Sequence, residues 1–446
     1  MGLHMQRHIK NIYLESLGCA RNLVDSELML GRLADAGFNI VSDPAKARTI
    51  LINTCSFIEA AISESVDTIL ELAKYKRNGK CRRIIVTGCL PERFREKIIK
   101  TLPEVDFFLG TGAYSKILQA VEGIPIASGI LLPDPGLTTL SYNAETRIRT
   151  DPNIAYLKIS EGCSRRCTYC IIPKLRGKQR SREIEDVVLE AKSLIESGVK
   201  ELILVAQDTS YYGKDMGSSV SLAKLIERIS GLSDDIWIRI LYGHPESIET
   251  DAIKAIACTH NVCPYFDIPI QHVNSKILKR MGRNYNQTKL LKLFDKIRSY
   301  DSDAVLRTTV ITGFPGETDK DFAELLSFIE TVKFDHLGTF IYSDSKDIAS
   351  HNLSEKVRKN VAKKRYDRIM SSQMEISYHK NRRHIGKVFD VLVEGFPEEK
   401  LYIGRTKYQA PDVDGITYIS GELKTGSLVR TKITDALEYD LIGEPA

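Results

Sequence analysis

Three short apolar runs, Asn11 to Leu17, Thr49 to Asn53 and Arg83 to Thr87, are each followed closely by a cysteine, in Leu17-Gly18-Cys19, Asn53-Thr54-Cys55 and Thr87-Gly88-Cys89. Helical patterns separate the runs. Alternation of this kind predicts a parallel α/β sheet, continued by a fourth strand at Asp106 to Leu109. In an open parallel sheet the carboxyl ends of the strands share one edge, where ligands bind. Cys19, Cys55 and Cys89, spaced 36 and 34 residues apart, would meet there. Any one of them alone reads as a small apolar side chain near a strand end. Three at equivalent positions read as the ligands of a metal cluster. The first helix, with Leu28, Leu30, Leu33 and Ala34, is expected to end at Gly37.

A second set of thiols lies in Glu161-Gly162-Cys163-Ser164-Arg165-Arg166-Cys167-Thr168-Tyr169-Cys170. This CxxxCxxC supplies three thiolates, one fewer than a closed tetrahedral or cuboidal site needs, so one coordination position stays open for a substrate. It follows Ala155 to Ser160, the first of six further strands; the others are Glu201 to Ala206, Trp237 to Tyr242, Tyr265 to Ile270, Val305 to Thr312 and His336 to Tyr342. Between the first two, Ile184, Val187, Val188, Ala191, Leu194 and Ile195 share a helix face, with Ser181 placed to cap its start and Gly198 to end it. Six strand-and-helix units predict a partial β/α barrel, whose chemistry gathers at the C-terminal ends of its strands. Cys81, Cys258 and Cys263 read as buried or tolerated thiols, although Cys258 and Cys263 are also close enough for a lesser metal pair.

A Pro- and Gly-rich stretch at 126–150, preceded by Pro125, reads as a linker. From Leu353 to about Arg383 a basic helix is expected, with Val357, Val361, Ile369 and Met370 on its apolar face and Lys356, Arg358, Lys359, Lys363, Lys364, Arg365 and Arg368 on the others. Such a helix is either a solvated face or a contact for nucleic acid. After it come the short β segments Gly386 to Val393, Leu401 to Arg405, Ile416 to Ile419 and Leu428 to Ile433, the pattern of a small OB-like barrel. The expected domains are therefore 8–125, 149–380 and 383–446.

With 446 residues, 43% hydrophobic and 27% charged, the chain has the composition of a globular protein of two or three domains and no apolar run of membrane-spanning length. A cytoplasmic location is expected, and with an odd count of nine cysteines a disulfide framework is not. The net charge of +5 is uneven: residues 385–446 carry seven Lys/Arg and eleven Asp/Glu, a net of −4, so the rest carries +9.

The CxxxCxxC with Tyr169 before its last cysteine resembles the radical S-adenosylmethionine (SAM) signature, and the three-part layout resembles the radical SAM methylthiotransferases across essentially the whole chain. The resemblance implies an N-terminal methylthiotransferase domain, a radical SAM partial (β/α)6 barrel and a C-terminal TRAM barrel. It also implies two 4Fe-4S clusters with SAM as cofactor. Cys163, Cys167 and Cys170 would hold the cluster whose open iron takes SAM and cleaves it to a deoxyadenosyl radical, a species able to remove hydrogen from an unactivated carbon. Cys19, Cys55 and Cys89 would hold an auxiliary cluster that carries the sulfur to be transferred. No protein acid or base need start the reaction, so no catalytic side chain is assigned. Tyr169, Gln207, Gln271 and Arg307 are the implied SAM contacts, and Thr312-Gly313-Phe314-Pro315-Gly316-Glu317 resembles the family's turn near the adenine. Arg307 reads equally well as a surface ion pair. The alternation Lys174, Arg176, Lys178, Arg180, Arg182 either guides an anionic substrate or is a solvated loop.

Within the family, Ser16-Leu17-Gly18-Cys19-Ala20-Arg21-Asn22-Leu23-Val24-Asp25-Ser26-Glu27, Gln207-Asp208-Thr209-Ser210-Tyr211-Tyr212-Gly213 and Phe266-Asp267-Ile268-Pro269-Ile270-Gln271-His272 resemble the branch that methylthiolates the β carbon of an aspartate in small-subunit ribosomal protein S-twelve. That branch has Pro-Lys where this chain has Ala20-Arg21. An acidic terminal barrel suits a basic ribosomal protein better than RNA, whose phosphates favour basic surfaces. The partners so implied are S-twelve or the small ribosomal subunit, a low-potential electron donor and a sulfur source. Alternatives are methylthiolation of a modified tRNA adenosine, or a non-catalytic iron–sulfur protein that binds a partner.

Overall fold

The computed structural model describes residues 10–123, 129–138, 141–142, 146–217, 219–398 and 400–446. They form two units, residues 1–150 with 160–165 and 170–182, and residues 151–159 with 166–169 and 183–446.

The first unit is built on a six-stranded parallel sheet: β1 (Asn11–Ser16), β2 (Asn39–Ile40), β3 (Thr49–Thr54), β4 (Arg83–Gly88), β5 (Phe107–Leu109) and β6 (Ile130–Leu131). Its order is β2-β1-β3-β4-β5-β6. Ser16 pairs with Asn53 and Asn53 with Thr87, so the three central strands end level with one another. Ile50, Ile52, Ile84 and Val86 pack on one face against Ile69, Leu72 and Leu90, while Ile12, Leu51 and Ile85 pack on the other against Met29, Leu33 and Ile117. Burial on both faces explains why these strands read as apolar runs and not as alternating patterns. β6 lies inside the stretch expected as a linker, where Ile130 and Leu131 extend the sheet beside β5. Pro125 and residues 126–128, 139–140 and 143–145 of that expectation lie outside the described residues.

The second unit begins with β7 (Ile154–Lys158), and the first then contributes an antiparallel ribbon, β8 (Ser160–Glu161) with β9 (Arg180–Ser181), that brackets the CxxxCxxC loop. Ser181 therefore does not cap the helix Ile184–Glu196, whose N-cap is Glu183; the backbone of Ser181 is committed to the ribbon. The second unit continues with β10 (Glu201–Val205), β11 (Trp237–Ile240), β12 (Tyr265–Asp267), β13 (Val305–Thr312) and β14 (His336–Ile341). These parallel strands form two three-stranded sheets, β11-β10-β7 and β12-β13-β14, with a single bridge from Ile238 to Val262 between them. Helices supply the outer layer, for example through Val187, Ala191 and Leu194 packed on the same core as Leu202 and Leu204. This is the expected partial barrel.

The basic helix spans Lys359–Asn381. Its packed face differs from expectation: Arg365 is buried, donating to the Glu317 backbone carbonyl at 3.2 Å and to Asp319 at 2.7 Å. A charge placed by pattern on the solvent face is thus a tether to the next turn of the barrel. The chain ends in a closed five-stranded barrel, β15 (Val388–Glu398), β16 (Leu401–Arg405), β17 (Thr417–Ser420), β18 (Leu428–Ala436) and β19 (Leu441–Pro445), in the order β15-β16-β17-β19-β18. β19 was not foreseen. It pairs in parallel with β17 and antiparallel with β18, and so closes the barrel.

The segment after β16 meets the N-terminal ends of the β/α strands. Arg405 donates to Glu201 at 2.5 Å, Arg239 donates to the Lys407 carbonyl at 2.9 Å, and His336 contacts the Tyr408 carbonyl at 2.9 Å. Tyr265 hydrogen-bonds Asp414. Glu201, Tyr265 and His336 open β10, β12 and β14, and Arg239 lies within β11, so the C-terminal barrel is fixed to the end of the β/α strands away from their carboxyl termini. Among the described residues, no helix is long and apolar enough to cross a membrane.

Candidate functional site

Cys55 and Cys89 follow directly on β3 and β4, and Cys19 comes three residues after β1, at the level carboxyl edge of the sheet. Two of them sit behind glycines with left-handed backbone, Gly18 at φ +96° and Gly88 at φ +94°. A Cβ on Gly18 would lie 2.7 Å from the Cys55 Cβ and 3.2 Å from its Sγ, and one on Gly88 would lie 2.4 Å from the Asn53 Oδ1. Only glycine lets the chain turn off the strand with the next thiol this near.

Side chains from the Asn22-to-Glu27 stretch hold this edge. Asn22 donates through Nδ2 to the Thr54 carbonyl at 2.9 Å and the Leu17 carbonyl at 3.1 Å, and Asn53 donates to the Asn22 carbonyl at 2.8 Å and to Ser26 Oγ at 2.9 Å. Ser65 Oγ donates to the Cys55 carbonyl at 2.8 Å and accepts from the Cys55 N–H at 3.2 Å. Ser56 Oγ donates to the Cys89 carbonyl at 2.9 Å. Asn22, Asn53, Ser56 and Ser65 are all fully or nearly fully buried. Burying polar groups without partners is costly, and here each is spent on fixing a cysteine or its neighbour.

The three thiols sense one another. Burial raises Cys55 above the usual thiol range, with a further push from Cys19. Burial pushes Cys89 up to about 12, against the pull of Arg176 and with added repulsion from Cys55 and Cys19. Cys19 moves the other way. Burial would raise it, but Arg21, Arg176 and the amides of Asn22 and Arg21 at the start of the helix Ala20–Asp35 outweigh that and hold it below its ordinary value.

Among the described residues no three Cys, His, Asp or Glu side chains are gathered as ligands of one ion. A cuboidal cluster is a larger guest, bound at separate corners, so its thiolates stand further apart than those around a single metal. Three thiols at the level carboxyl edge of one sheet, beside a buried cation, fit such an anionic guest.

The cation is Arg176, which ends the helix Ile172–Arg176 just after the CxxxCxxC loop. Its side chain is 3% exposed, and its Nη1 donates to Asp25 at 2.7 Å and Glu161 at 3.2 Å. Its Nη2 donates to Asn22 Oδ1 and lies 3.8 Å from Cys89 Sγ. Of the basic alternation read as a guide or a solvated loop, Arg176 and Arg182 are thus buried.

In the CxxxCxxC loop, Cys163 and Cys170 group with the first unit, Cys167 and Tyr169 with the second. The Cys163 N–H donates to the Gly177 carbonyl at 3.1 Å. Thr168 is tied through its N–H to the Met281 carbonyl at 3.0 Å and through its hydroxyl to the Arg280 carbonyl at 2.8 Å. The Tyr169 hydroxyl accepts from Arg283 Nε at 3.0 Å, and its ring meets Phe314 edge-to-face at 6.4 Å. Phe314 belongs to the Gly313-to-Glu317 turn, so the two motifs expected near SAM are in contact. Glu317 ties that turn back on itself by accepting from the Gly313 N–H.

Gln271 is buried at φ +62° after β12, with its N–H on the Thr309 carbonyl and its carbonyl accepting from Ile311, both at 2.8 Å. A non-glycine residue held there is strained, a cost seen mainly at working sites. Gln207 follows β10 at the carboxyl end of the barrel. Arg307 does not. It is the third residue of β13, donating to Asp267 at 2.9 Å and lying 3.4 Å from Asp414. Its place beside the C-terminal barrel favours the ion-pair reading, with its aspartate partners buried and Arg307 itself half-buried.

Sequence reasoning gives no role to Asn53 or Ser65, meets Asn22 only inside a family motif and Arg176 only within the basic alternation. The only signal was polar residues, Asn22, Asp25 and Ser26, at positions where the helix Ala20–Asp35 should have been apolar.

Residues 11–110 match the uncharacterized protein family UPF0004, 157–329 the radical SAM superfamily and 385–445 the TRAM domain. A protein of Desulfosudis oleivorans described as ribosomal protein uS12 methylthiotransferase RimO is 50% identical over 97% of this chain and 99% of its own. One of the same description from Clostridioides difficile is 44% identical over 97% of this chain and 98% of its own. Among solved structures, the radical S-adenosylmethionine methyltransferase TsrM from Kitasatospora setae is similar at a TM-score of 0.56 and 13% identity, covering 77% of each chain. That likeness is one of fold.

Proposed function

This chain belongs to the radical SAM methylthiotransferase family, in its RimO branch, and from that membership we propose that it adds a methylthio group to the β carbon of an aspartate in ribosomal protein uS12. The observation that carries the proposal is 50% identity to a relative of that description over 97% of this chain. The family implies a 4Fe-4S cluster and SAM.

The finer reading is two clusters, one on Cys163, Cys167 and Cys170 and one on Cys19, Cys55 and Cys89. Bound at the first triad, cluster and SAM supply reductive cleavage of the sulfonium and, through it, hydrogen abstraction from an unactivated carbon. The protein's own residues hold and shield. Tyr169, fixed by Arg283 and Phe314, would meet the adenine through its backbone. Gln271, in its strained backbone, and Gln207 are the polar groups offered to SAM at the carboxyl ends of β12 and β10. Asn22, Asn53, Ser56 and Ser65 keep the second triad at the sheet edge. The net charge of −4 on residues 385–446 favours a basic protein substrate over nucleic acid. A low-potential electron donor and a sulfur source complete the reading, in the cytoplasm where ribosomes are modified.

The test is to reconstitute the protein anaerobically with iron, sulfide and reductant and to present uS12 and tRNA in parallel with SAM. Methylthio mass on a uS12 aspartate is expected in mass spectra. Modification of tRNA alone, or no cleavage of SAM, would overturn the proposal.

A further inference from the structure

Arg176 is a buried cation hydrogen-bonded to one of the strand-end cysteines, and no role follows for it from the family or from the cysteines themselves. Its two terminal nitrogens serve different purposes. Nη1 is shared between Asp25 and Glu161, themselves 6% and 7% exposed, which compensates the buried charge. Nη2 is shared between Asn22 and the sulfur of Cys89. Asn22 in turn holds the backbone beside Cys19 and Cys55, through the Leu17 and Thr54 carbonyls. One guanidinium therefore reaches Cys89 directly and the neighbours of the other two thiols through one side chain.

We propose that Arg176 is a positioning residue of the strand-end cluster, which orients Cys89 and Asn22 and raises the cluster's reduction potential through its hydrogen bond and positive charge at the Cys89 sulfur. The inference rests on the reading that Cys19, Cys55 and Cys89 hold a cluster. Potentials of iron–sulfur centres follow net charge and hydrogen bonds to sulfur, and residues outside the ligand set tune them. A fork is needed because four acceptors share one side chain; an ammonium has the charge but not the geometry.

The experiment uses the full chain with Cys163, Cys167 and Cys170 replaced by Ala, so that a cluster can form only on the strand-end cysteines. Iron and sulfide content and an EPR-monitored redox titration are then compared with and without Arg176→Gln. At the parent midpoint the oxidised-to-reduced ratio should rise about tenfold in Arg176→Gln, equivalent to about 59 mV for one electron. Arg176→Lys should shift it less. Arg176→Gln takes a positive charge away from Asp25 and Glu161, so Arg176→Gln/Asp25→Asn is titrated as well, with the same direction expected. Iron lost in Arg176→Gln and not restored in Arg176→Lys would support the orienting role. Full iron content with the ratio unmoved in both glutamine variants would overturn the inference and leave the cluster reading standing. A parent that binds no cluster would overturn both.

Discussion

Replacing Glu201 with Gln is expected to loosen the C-terminal barrel from the β/α strands. Glu201 is fully buried at the start of β10, with Oε1 accepting from Arg239 Nε at 2.6 Å and Oε2 from Arg405 Nη2 at 2.5 Å. Arg239 and Arg405 are themselves 0% and 1% exposed. Glutamine removes the negative charge that both guanidiniums share and turns an NH2 toward one of them, donor against donor. Arg405 keeps Glu394 and the Gln409 carbonyl, and Arg239 keeps the Lys407 carbonyl, so the loss is partial. Breaking a buried ion pair by removing one partner costs about 3–5 kcal/mol. At 1.36 kcal/mol per tenfold, the open population should rise on the order of a thousandfold. Amide hydrogen exchange of β15–β19, followed by mass spectrometry, reads that population. The sign with pH is fixed by the same pair. Burial would raise the Glu201 carboxyl, but Arg405 and Arg239 outweigh it and hold it below the usual carboxylate range. A depressed folded-state pKa contributes stability that is present above the unfolded value, near about 4.3, and is lost as pH falls through the folded value. Parent protection should therefore fall below about pH 4, while Glu201→Gln should lose this part of the pH dependence. Protection of the variant within tenfold of the parent at neutral pH would refute the reasoning.

Two further outcomes follow from the cysteine edges. Gly18→Ala forces a side chain into φ +96° and against Cys55, so it should cost about 1–3 kcal/mol and lower the iron bound at the strand-end triad; iron analysis of protein carrying alanine at Cys163, Cys167 and Cys170 checks it, and unchanged iron refutes it. Alanine at Cys163, Cys167 and Cys170 should abolish SAM cleavage, whereas alanine at Cys19, Cys55 and Cys89 should leave cleavage and stop methylthiolation. Chromatography of 5′-deoxyadenosine and mass spectrometry of uS12 separate the two, and methylthio product from the second variant would contradict the assigned division.

Local pattern went far in this chain because its central strands β3, β4, β10 and β11 are buried on both faces and its helices on one. The strands β1, β3, β4, β10, β11, β13 and β14 are legible as apolar runs, and Gly37 and Gly198 end their helices where periodicity stops. The fifth strand of the terminal barrel escaped notice. Leu441–Pro445 contains Gly443, Glu444 and Pro445, poor strand formers taken alone, and it becomes a strand because β17 and β18 pair with it on either side. Arg365 misled for the opposite reason, as a basic residue in a basic helix that finds Glu317 and Asp319 only once the barrel has closed.

From sequence alone came the α/β order, the two cysteine triads and the motifs that place the chain in its family, since these depend on residue type at short spacing. Tertiary structure alone decided the fate of the charges. Arg176 reaches Asp25 across 151 positions and Arg405 reaches Glu201 across 204. Arg307 is claimed by Asp267 and Asp414, and not by the carboxyl end of the barrel. A guanidinium reads the same in sequence whether solvated, paired or set beside a thiol. Only burial, by making an unpaired charge prohibitive, determines which partner it must have.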